Sequence, residues 1–236
     1  MNAVTGTGSG RRIEMPILAA VPQLAHGFTV RGNDARATVR AVAGDAPLVS
    51  LHQVHGSTVR VVPPAPRDGD RPDGDALVTG TAGLALGVWV ADCVPILICD
   101  PRSRAVAAVH AGWRGTVAGI LGAAIGTLRE RFGSRPADLR VALGPAIGVC
   151  CFEVGDEVVD ALLRADAGAG SSVRRGPRAH IDLYEANRRQ ALASGVPPGQ
   201  VQSADLCTVC RPDLLESFRR DRQSAGRMAG FIAWRA

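Results

Sequence analysis

The chain has 236 residues and a net charge of +5, and all 27 of its basic residues are arginine. The absence of lysine excludes enzymes that form a lysine Schiff base and proteins that hold nucleotides with a Walker lysine, so any bound anion must be met by arginine, backbone N–H groups or a metal. Aromatic residues make up only 4% of the chain, which disfavours nucleic-acid binding, and no apolar run reaches the ~18 residues of a membrane span.

The N-terminal composition predicts a tail followed by one domain. Residues 1–12 are rich in Gly, Thr and Ser, and a disordered tail is expected over residues 1–15, ahead of a domain over 16–236. Short β-branched segments bounded by turn residues then predict strands. These strands cover residues 51–62, 84–91, 94–99, 105–109, 139–143 and 228–234. Gly- and Pro-rich loops are predicted at 63–72 and 167–178.

Apolar residues at helical spacing predict helices in the second half of the chain. These helices cover residues 116–132, 153–165 and 182–194. Thr116 is expected to cap the first helix, which should end at Gly133, and Asp182 should cap the last. The order of elements predicts an α+β fold, a layered α/β/β/α-type sandwich with mixed sheets in a single domain.

Two histidines and one cysteine lie at predicted strand ends, beside glycine or turn residues. They are His55 in HQVHG, Cys93 in ADCVP and His110 in VHAGWRG. Two imidazoles and one thiolate suit a catalytic zinc ion that keeps a fourth position open. A second interpretation is a cysteine hydrolase with Cys93 as nucleophile and His110 as base. The third is separate burial without function.

The other cysteines and the neighbouring histidine are predicted to lie outside this group. His52 precedes His55 by three positions, an odd offset that places it on the opposite face of a strand. Cys207 and Cys210 form C-x-x-C, but no second C-x-x-C or histidine pair accompanies them, so the sequence disfavours a metal or redox role. The adjacent cysteines at 150–151 are expected to pack in the core. Without disulfide spacing or an export signal, reduced thiols in the cytoplasm are expected.

Together these motifs resemble the YfiH-type family, also called laccase-domain or multicopper polyphenol oxidase proteins. The resemblance rests on HQVHG, ADCVPIL, VHAGWRG, GPAIGVCCFEVG and the C-terminal CT…SFRRD…GRMAGFI, and runs from about His26 to the C-terminus. It implies a layered α/β sandwich and a purine nucleoside phosphorylase that also deaminates adenosine and cleaves methylthioadenosine. It further implies a Zn²⁺ site of His55, Cys93 and His110. Purine nucleosides and phosphate are then the expected partners, with neither nucleic acid nor membrane.

Two more residues are candidates for catalysis. Asp92 directly precedes Cys93 and is suited to orient a histidine or to move a substrate proton. Arg114 lies near the start of the helix predicted after His110, where it is suited to bind phosphate in place of lysine.

The oxidase name of the family can be tested by counting ligands. A four-copper centre needs about ten histidines and a cysteine, whereas the chain has five histidines and no His-x-His. Zinc is therefore expected rather than a four-copper centre, and a copper-dependent polyphenol oxidase is an alternative. The chain also departs from the family pattern after Phe28, where the connection is shorter, and at Leu215 and Glu216, where an aromatic pair is usual. A non-catalytic binding module is the remaining alternative.

Overall fold

The computed structural model describes residues 3–67, 69 and 71–236. The strands are β1 (Ala3–Thr5), β2 (Arg12–Glu14), β3 (Leu24–Thr29), β4 (Leu48–Val49), β5 (Val59–Val61), β6 (Ala76–Thr79), β7 (Ala85–Val90), β8 (Val94–Asp100), β9 (Ala105–Ala111), β10 (Arg140–Leu143), β11 (Glu153–Val154), β12 (Val173–Arg174), β13 (Ala179–Ile181), β14 (Val201–Ser203) and β15 (Met228–Trp234). The α-helices are α1 (Pro16–Ala19), α2 (Ala35–Ala43), α3 (Trp113–Val117), α4 (Ile120–Phe132), α5 (Asp156–Ala165), α6 (Leu183–Ala193) and α7 (Phe218–Asp221).

Within the described residues, two six-stranded sheets pack face to face. The first has the order β1-β2-β3-β15-β7-β4 and the second β14-β10-β8-β9-β6-β5, while β11, β13 and β12 form a small third sheet. Both large sheets are mixed, because β4 pairs with β7, β14 with β10 and β5 with β6 in parallel, whereas their central pairs are antiparallel.

Side-chain alternation along β8 shows how the layers are built. Ile96 and Ile98 pack on the helix side of the second sheet, whereas Leu97 and Cys99 pack between the two sheets. Successive strand residues point to opposite faces, and all four of these side chains are fully buried. The strand is therefore apolar along its whole length, as expected for one that is covered on both faces.

Helices cover the outer face of each large sheet. Ile120 and Leu128 of α4 belong to the core on the outer side of the second sheet. Val39 and Val42 of α2 pack with Phe231 on the outer side of the first sheet. The layers thus follow the order helix, sheet, sheet, helix, which confirms the predicted α/β/β/α sandwich with mixed sheets.

The N-terminal segment differs from the disordered tail that its composition predicted over residues 1–15. Met1 and Asn2 lie outside the described residues, but β1 pairs with β2 and β2 pairs with β3. Ile13 and Met15 have no exposed surface. Long-range pairing and the burial of these two apolar side chains override the local Gly and Ser signal.

Several predicted boundaries were also wrong. Of the strand predicted over 51–62, only residues 59–61 form a strand, β5, and residues 51–58 belong to the loop that joins β4 to β5. The helix predicted over 116–132 is split into α3 and α4, because Gly119 adopts a left-handed φ of 77° between them. The helix predicted from residue 153 begins at Asp156, since residues 153–154 pair with β13 instead. Asp182 caps α6 as predicted, accepting a hydrogen bond from the Glu185 N–H.

No described helix combines the length and apolar composition needed to cross a membrane.

The close approach between Gly144 and Phe28 provides a test of this packing. A Cβ on Gly144 would overlap the Phe28 ring, so Gly144→Ala should lower the free energy of unfolding by about 1–3 kcal/mol, as overpacking does. A Cβ on Gly126 of α4 would meet nothing within 4 Å. Gly126→Ala should therefore be neutral or stabilising by up to about 1 kcal/mol. Urea denaturation of both variants measures the difference, and equal stabilities would contradict the packing described.

Buried His26 should make stability depend on pH. Its Nε2 accepts a hydrogen bond from the Met15 N–H at 3.1 Å, and burial lowers its pKa from the ordinary 6.5 to about 4. Because the unfolded chain binds the proton first, this stability is present above pH 6.5 and is lost as pH falls towards 4, by up to about 3 kcal/mol. His26→Gln should reduce this decline in denaturation experiments, whereas His52→Gln, at an exposed position, should not. A wild-type profile in His26→Gln would contradict this origin.

Candidate metal centre and active site

A cavity of about 810 Å³ opens where β7, β8 and β9 meet the loop before β5. The loop is attached to β7 by Gln53, whose side chain donates to the Trp89 carbonyl and accepts from the Trp89 N–H at 2.8 and 2.7 Å. These two hydrogen bonds hold the segment before His55 against β7, as pairing with a strand would. It explains why the HQVHG motif lies in a loop and still occupies a defined position.

His55, Cys93 and His110 meet at the wall of this cavity. One ligand atom from each residue lies within 4.8 Å of the others, and the two imidazole rings pack edge to face with centroids 4.8 Å apart. Cys93 lies in the turn before β8, and His110 lies on β9, where it pairs with Pro95. The structure therefore brings together all three of the residues expected at a metal site.

Asp75, which the sequence interpretation missed, holds two of these residues in place. Its buried Oδ1 lies 2.8 Å from His110 Nδ1 and accepts the His55 N–H at 2.9 Å. Oδ2 accepts the Gly56 N–H at 2.7 Å. Burial alone would raise the pKa of this carboxyl, but the His110 hydrogen bond and the backbone N–H groups outweigh it and lower the pKa. A carboxylate partner at Nδ1 leaves Nε2 of His110 free to bind a ligand.

The sequence offered only a weak signal for Asp75. It follows Asp68, Asp70 and Asp73 in one polar segment, and spacing does not distinguish among them. Its place directly before the buried strand β6 is the distinguishing feature. A carboxylate at this position is buried, so it needs hydrogen-bond donors from the segments that pack around it.

Two non-glycine residues of the site adopt left-handed backbone conformations. His55 has a φ of 60° and Asp92 a φ of 90°, conformations that cost of order 1–3 kcal/mol and often occur at functional sites. Gly112 permits the close approach of the group, because a Cβ there would lie 3.0 Å from Cys93 Sγ and 3.1 Å from His55 Cδ2.

The imidazoles change the acidity of the thiol. Burial raises the pKa of Cys93, but hydrogen bonds with His110 and His55 outweigh it and lower the pKa to about 7. Burial lowers the pKa of His110, but its hydrogen bonds with Asp75 and Cys93 outweigh that effect and raise the pKa to about 9. A thiolate is therefore accessible near neutral pH, and a thiolate is both the metal-binding and the nucleophilic form of cysteine.

Asp92 lines the cavity, but its carboxylate is engaged by the C-terminal segment. Oδ1 accepts the Thr208 hydroxyl and Oδ2 accepts the Arg219 N–H. Its carbonyl also accepts the Ile147 N–H at 2.9 Å. The residue thus joins three distant segments of the chain at the site.

Arginines give the cavity its charge. Of the described residues, five arginines line the cavity against one acidic residue, Asp92. The arginines are Arg71, Arg114, Arg219, Arg222 and Arg227. Arg114 stacks its guanidinium 4.3 Å from the centroid of the Trp113 ring, and its side chain has no hydrogen bond or ion pair with the described residues. Such a cation can bind an anion without first breaking an internal pair.

His52 lies outside the group. It is exposed and pairs with exposed Asp73 at 2.7 Å. The predicted separation from His55 is confirmed, although the cause is a loop and not the two faces of a strand.

Comparisons with known proteins agree on one family. A family model described as multi-copper polyphenol oxidoreductase laccase matches residues 27–235. The purine nucleoside phosphorylase YlmD of Geobacillus stearothermophilus is 40% identical over 197 residues, which cover 79% of this chain and 72% of that protein. An adenosine deaminase named RL5, from an unknown prokaryotic organism, is 42% identical over 156 residues, covering 65% of this chain and 59% of that protein.

The fold comparison agrees with the sequence comparison. The crystal structure of YlmD from Geobacillus stearothermophilus superimposes with a TM-score of 0.88 at 33% identity and covers 100% of both chains. The layered sandwich of this chain is therefore shared by that crystal structure over its whole length. The chain belongs to the YfiH-type family, which is the laccase-domain family described by the family model that matches residues 27–235.

Proposed function

We propose that this chain is a zinc-dependent purine nucleoside enzyme. It would cleave adenosine, inosine, guanosine and methylthioadenosine with phosphate and would also deaminate adenosine. The observation that carries the proposal is the meeting of His55, Cys93 and His110 in an arginine-lined cavity. The relatives named purine nucleoside phosphorylase and adenosine deaminase support the choice of substrates.

The donor set fits Zn²⁺. Two imidazole nitrogens and one thiolate are common zinc ligands, and three protein ligands leave one position open for a reacting molecule. Asp75 would hold His110 in the tautomer that binds metal, as carboxylates do at other zinc sites. When bound, zinc would act as a Lewis acid that polarises an oxygen near the reacting centre. Copper binds similar donors, but the five histidines of the chain support no four-copper oxidase centre.

The other cavity residues would bind the two substrates. Phosphorolysis breaks the N-glycosidic bond as a phosphate oxygen attacks the anomeric carbon and the base leaves with a proton. Arg114 and Arg222 would bind phosphate, because their side chains have no hydrogen bond or ion pair within the described part of the chain. Phe152, Phe218 and Trp113 also line the cavity and offer apolar surface to a purine ring.

Asp92 enters this proposal as a positioning residue. Both of its carboxylate oxygens already accept hydrogen bonds from the C-terminal segment, so it would shape the wall of the cavity and would not accept a substrate proton. None of the six cysteines forms a disulfide, which suits the reducing cytoplasm where we place the protein.

A thiol hydrolase is the second candidate. Asp75 orients His110, which in turn neighbours Cys93, and this order of contacts matches that of a nucleophile, base and orienting carboxylate. A thiol hydrolase requires no role for His55, whereas the zinc interpretation uses His55 as a metal ligand. The two candidates differ in their response to chelators and to thiol alkylation.

Turnover assays test the proposed reaction. Zinc-loaded protein should convert adenosine and phosphate to adenine and ribose 1-phosphate, and should form inosine without phosphate; chromatography measures both. His55→Ala and Cys93→Ala should abolish both activities. Arg114→Ala should raise the KM for phosphate about 10–100-fold, the effect of losing hydrogen bonds to a charged group. The matched variant Arg102→Ala, in the exposed β8–β9 turn, should not.

Two outcomes would contradict the proposed reaction. Zinc-loaded protein that turns over no purine nucleoside would exclude it. Activity that resists chelators but is lost when iodoacetamide alkylates Cys93 would instead support the thiol hydrolase.

Asp75 should control metal affinity through His110. Asp75→Asn should weaken Zn²⁺ binding by about 10–100-fold, because an amide at this position holds the imidazole and the loop N–H groups less well. Competition with a chromophoric chelator measures this affinity. Asp73→Asn alters the exposed Asp–His pair and is the control. Equal affinities in the two variants would show that Asp75 does not position the ligands.

A further inference from the structure

Two pairs of cysteines that are distant from each other in the sequence meet on the side of the molecule next to the candidate site. The Sγ atoms of Cys150, Cys151, Cys207 and Cys210 all lie within 4.8 Å of one another. The Sγ of Cys210 lies 3.7 Å from that of Cys150 and 3.5 Å from that of Cys151. We refer to these residues as the four-cysteine cluster.

The cluster corrects two expectations drawn from the sequence. The C-x-x-C pair has no second pair in its own segment, but the fold supplies one from the loop after β10. Ala146 and Cys207 form an isolated parallel bridge, which aligns the two loops. Cys150 is exposed, so the expected packing in the apolar core is wrong for this residue, whereas Cys151 packs against the core as expected.

We propose that the four-cysteine cluster is a second metal site, which holds one tetrahedral Zn²⁺ through four thiolates. Zinc lies about 2.3 Å from thiolate sulfur, so the corners of an S₄ tetrahedron are about 3.8 Å apart. The separations from Cys210 to Cys151 and to Cys150, 3.5 and 3.7 Å, are close to this edge length. An iron–sulfur cluster distributes its thiolates over several irons and so needs sulfurs that are further apart.

The backbone around the cluster is suited to stabilise negatively charged thiolates. The Gly148 N–H donates to Cys207 Sγ at 3.3 Å. A Cβ on Gly148 would lie 3.2 Å from Cys150 Sγ, so glycine lets this loop pass close to the sulfurs without a tight contact. Tyr184 fastens both loops, because its hydroxyl accepts the Ala146 N–H at 2.8 Å and donates to the Leu206 carbonyl at 3.1 Å.

All four metal positions would be filled by protein, which makes the site a structural one. Its role follows from its neighbours in the chain. Phe152 follows Cys151 and lines the cavity, while Thr208 follows Cys207 and donates to Asp92. The Arg219 guanidinium donates to the Glu153 carbonyl at 3.1 Å. A metal that joins the two loops would therefore hold one wall of the active-site cavity in place.

Metal analysis of the full-length protein tests the proposal. Protein purified with Zn²⁺ and reductant should lose about one zinc equivalent per chain in Cys210→Ala, relative to Cys99→Ala. Cys99 is a buried thiol in β8 and serves as the matched control. The same loss is expected in a His55→Ala/Cys93→Ala background, so the result does not depend on the first site or on the proposed reaction. Equal zinc content in Cys210→Ala and Cys99→Ala would overturn the proposal.

Two measurements keep the proposal testable if Cys210→Ala does not fold. X-ray absorption at the zinc edge of the His55→Ala/Cys93→Ala protein should show only sulfur neighbours, at about 2.3 Å. A shell of nitrogen and oxygen, or no bound zinc, would overturn it. Thiol titration of unfolded wild-type protein, with chelator and without reductant, should find all 6 cysteines reactive. Fewer reactive thiols would show a disulfide in the cluster and would likewise overturn it.

Discussion

The candidate site depends on one buried carboxylate. Asp75 has no exposed surface, and an ionised side chain in that position is stable only if hydrogen-bond donors surround it. The donors come from the His110 ring and from the backbone of His55 and Gly56. The requirement to satisfy one charge therefore positions the His110 imidazole and the backbone that carries the His55 side chain. Removing one partner of such a pair typically costs about 3–5 kcal/mol, so the loop and the strand are held as a unit.

The rest of the cavity is assembled around that unit by chain segments far apart in sequence. Asp92, in a left-handed conformation, accepts hydrogen bonds from Thr208 and Arg219. The four-cysteine cluster joins the loops that carry Phe152 and Thr208. Regular strands cannot make these connections, because the residues that make them lie in turns, loops or the short helix α7, beyond the ends of the strands. The sandwich supplies rigid strand ends, and side chains complete the wall between them.

The lysine-free composition has a local consequence in this cavity. Its permanently charged cations are the five arginines. Two of them are engaged by backbone carbonyls: Arg71 donates to that of Leu51 at 3.1 Å, and Arg219 to that of Glu153. Arg114 instead stacks on Trp113, which holds its planar guanidinium without neutralising it. An excess of fixed positive charge in a concave site raises the local concentration of anions.

The sequence by itself determined the layered fold and the identity of the three ligand candidates, because strand alternation and motifs such as VHAGWRG are local in the chain. It also determined the cap at Asp182. Only the tertiary structure decided that Asp75 is the carboxylate behind His110, that Ile13 orders the N-terminal segment, and that Cys150 meets Cys210. Each of these depends on which segments the sheet topology brings together. Burial and hydrogen bonding act between residues that are distant in sequence, so these contacts cannot be predicted from spacing along the chain.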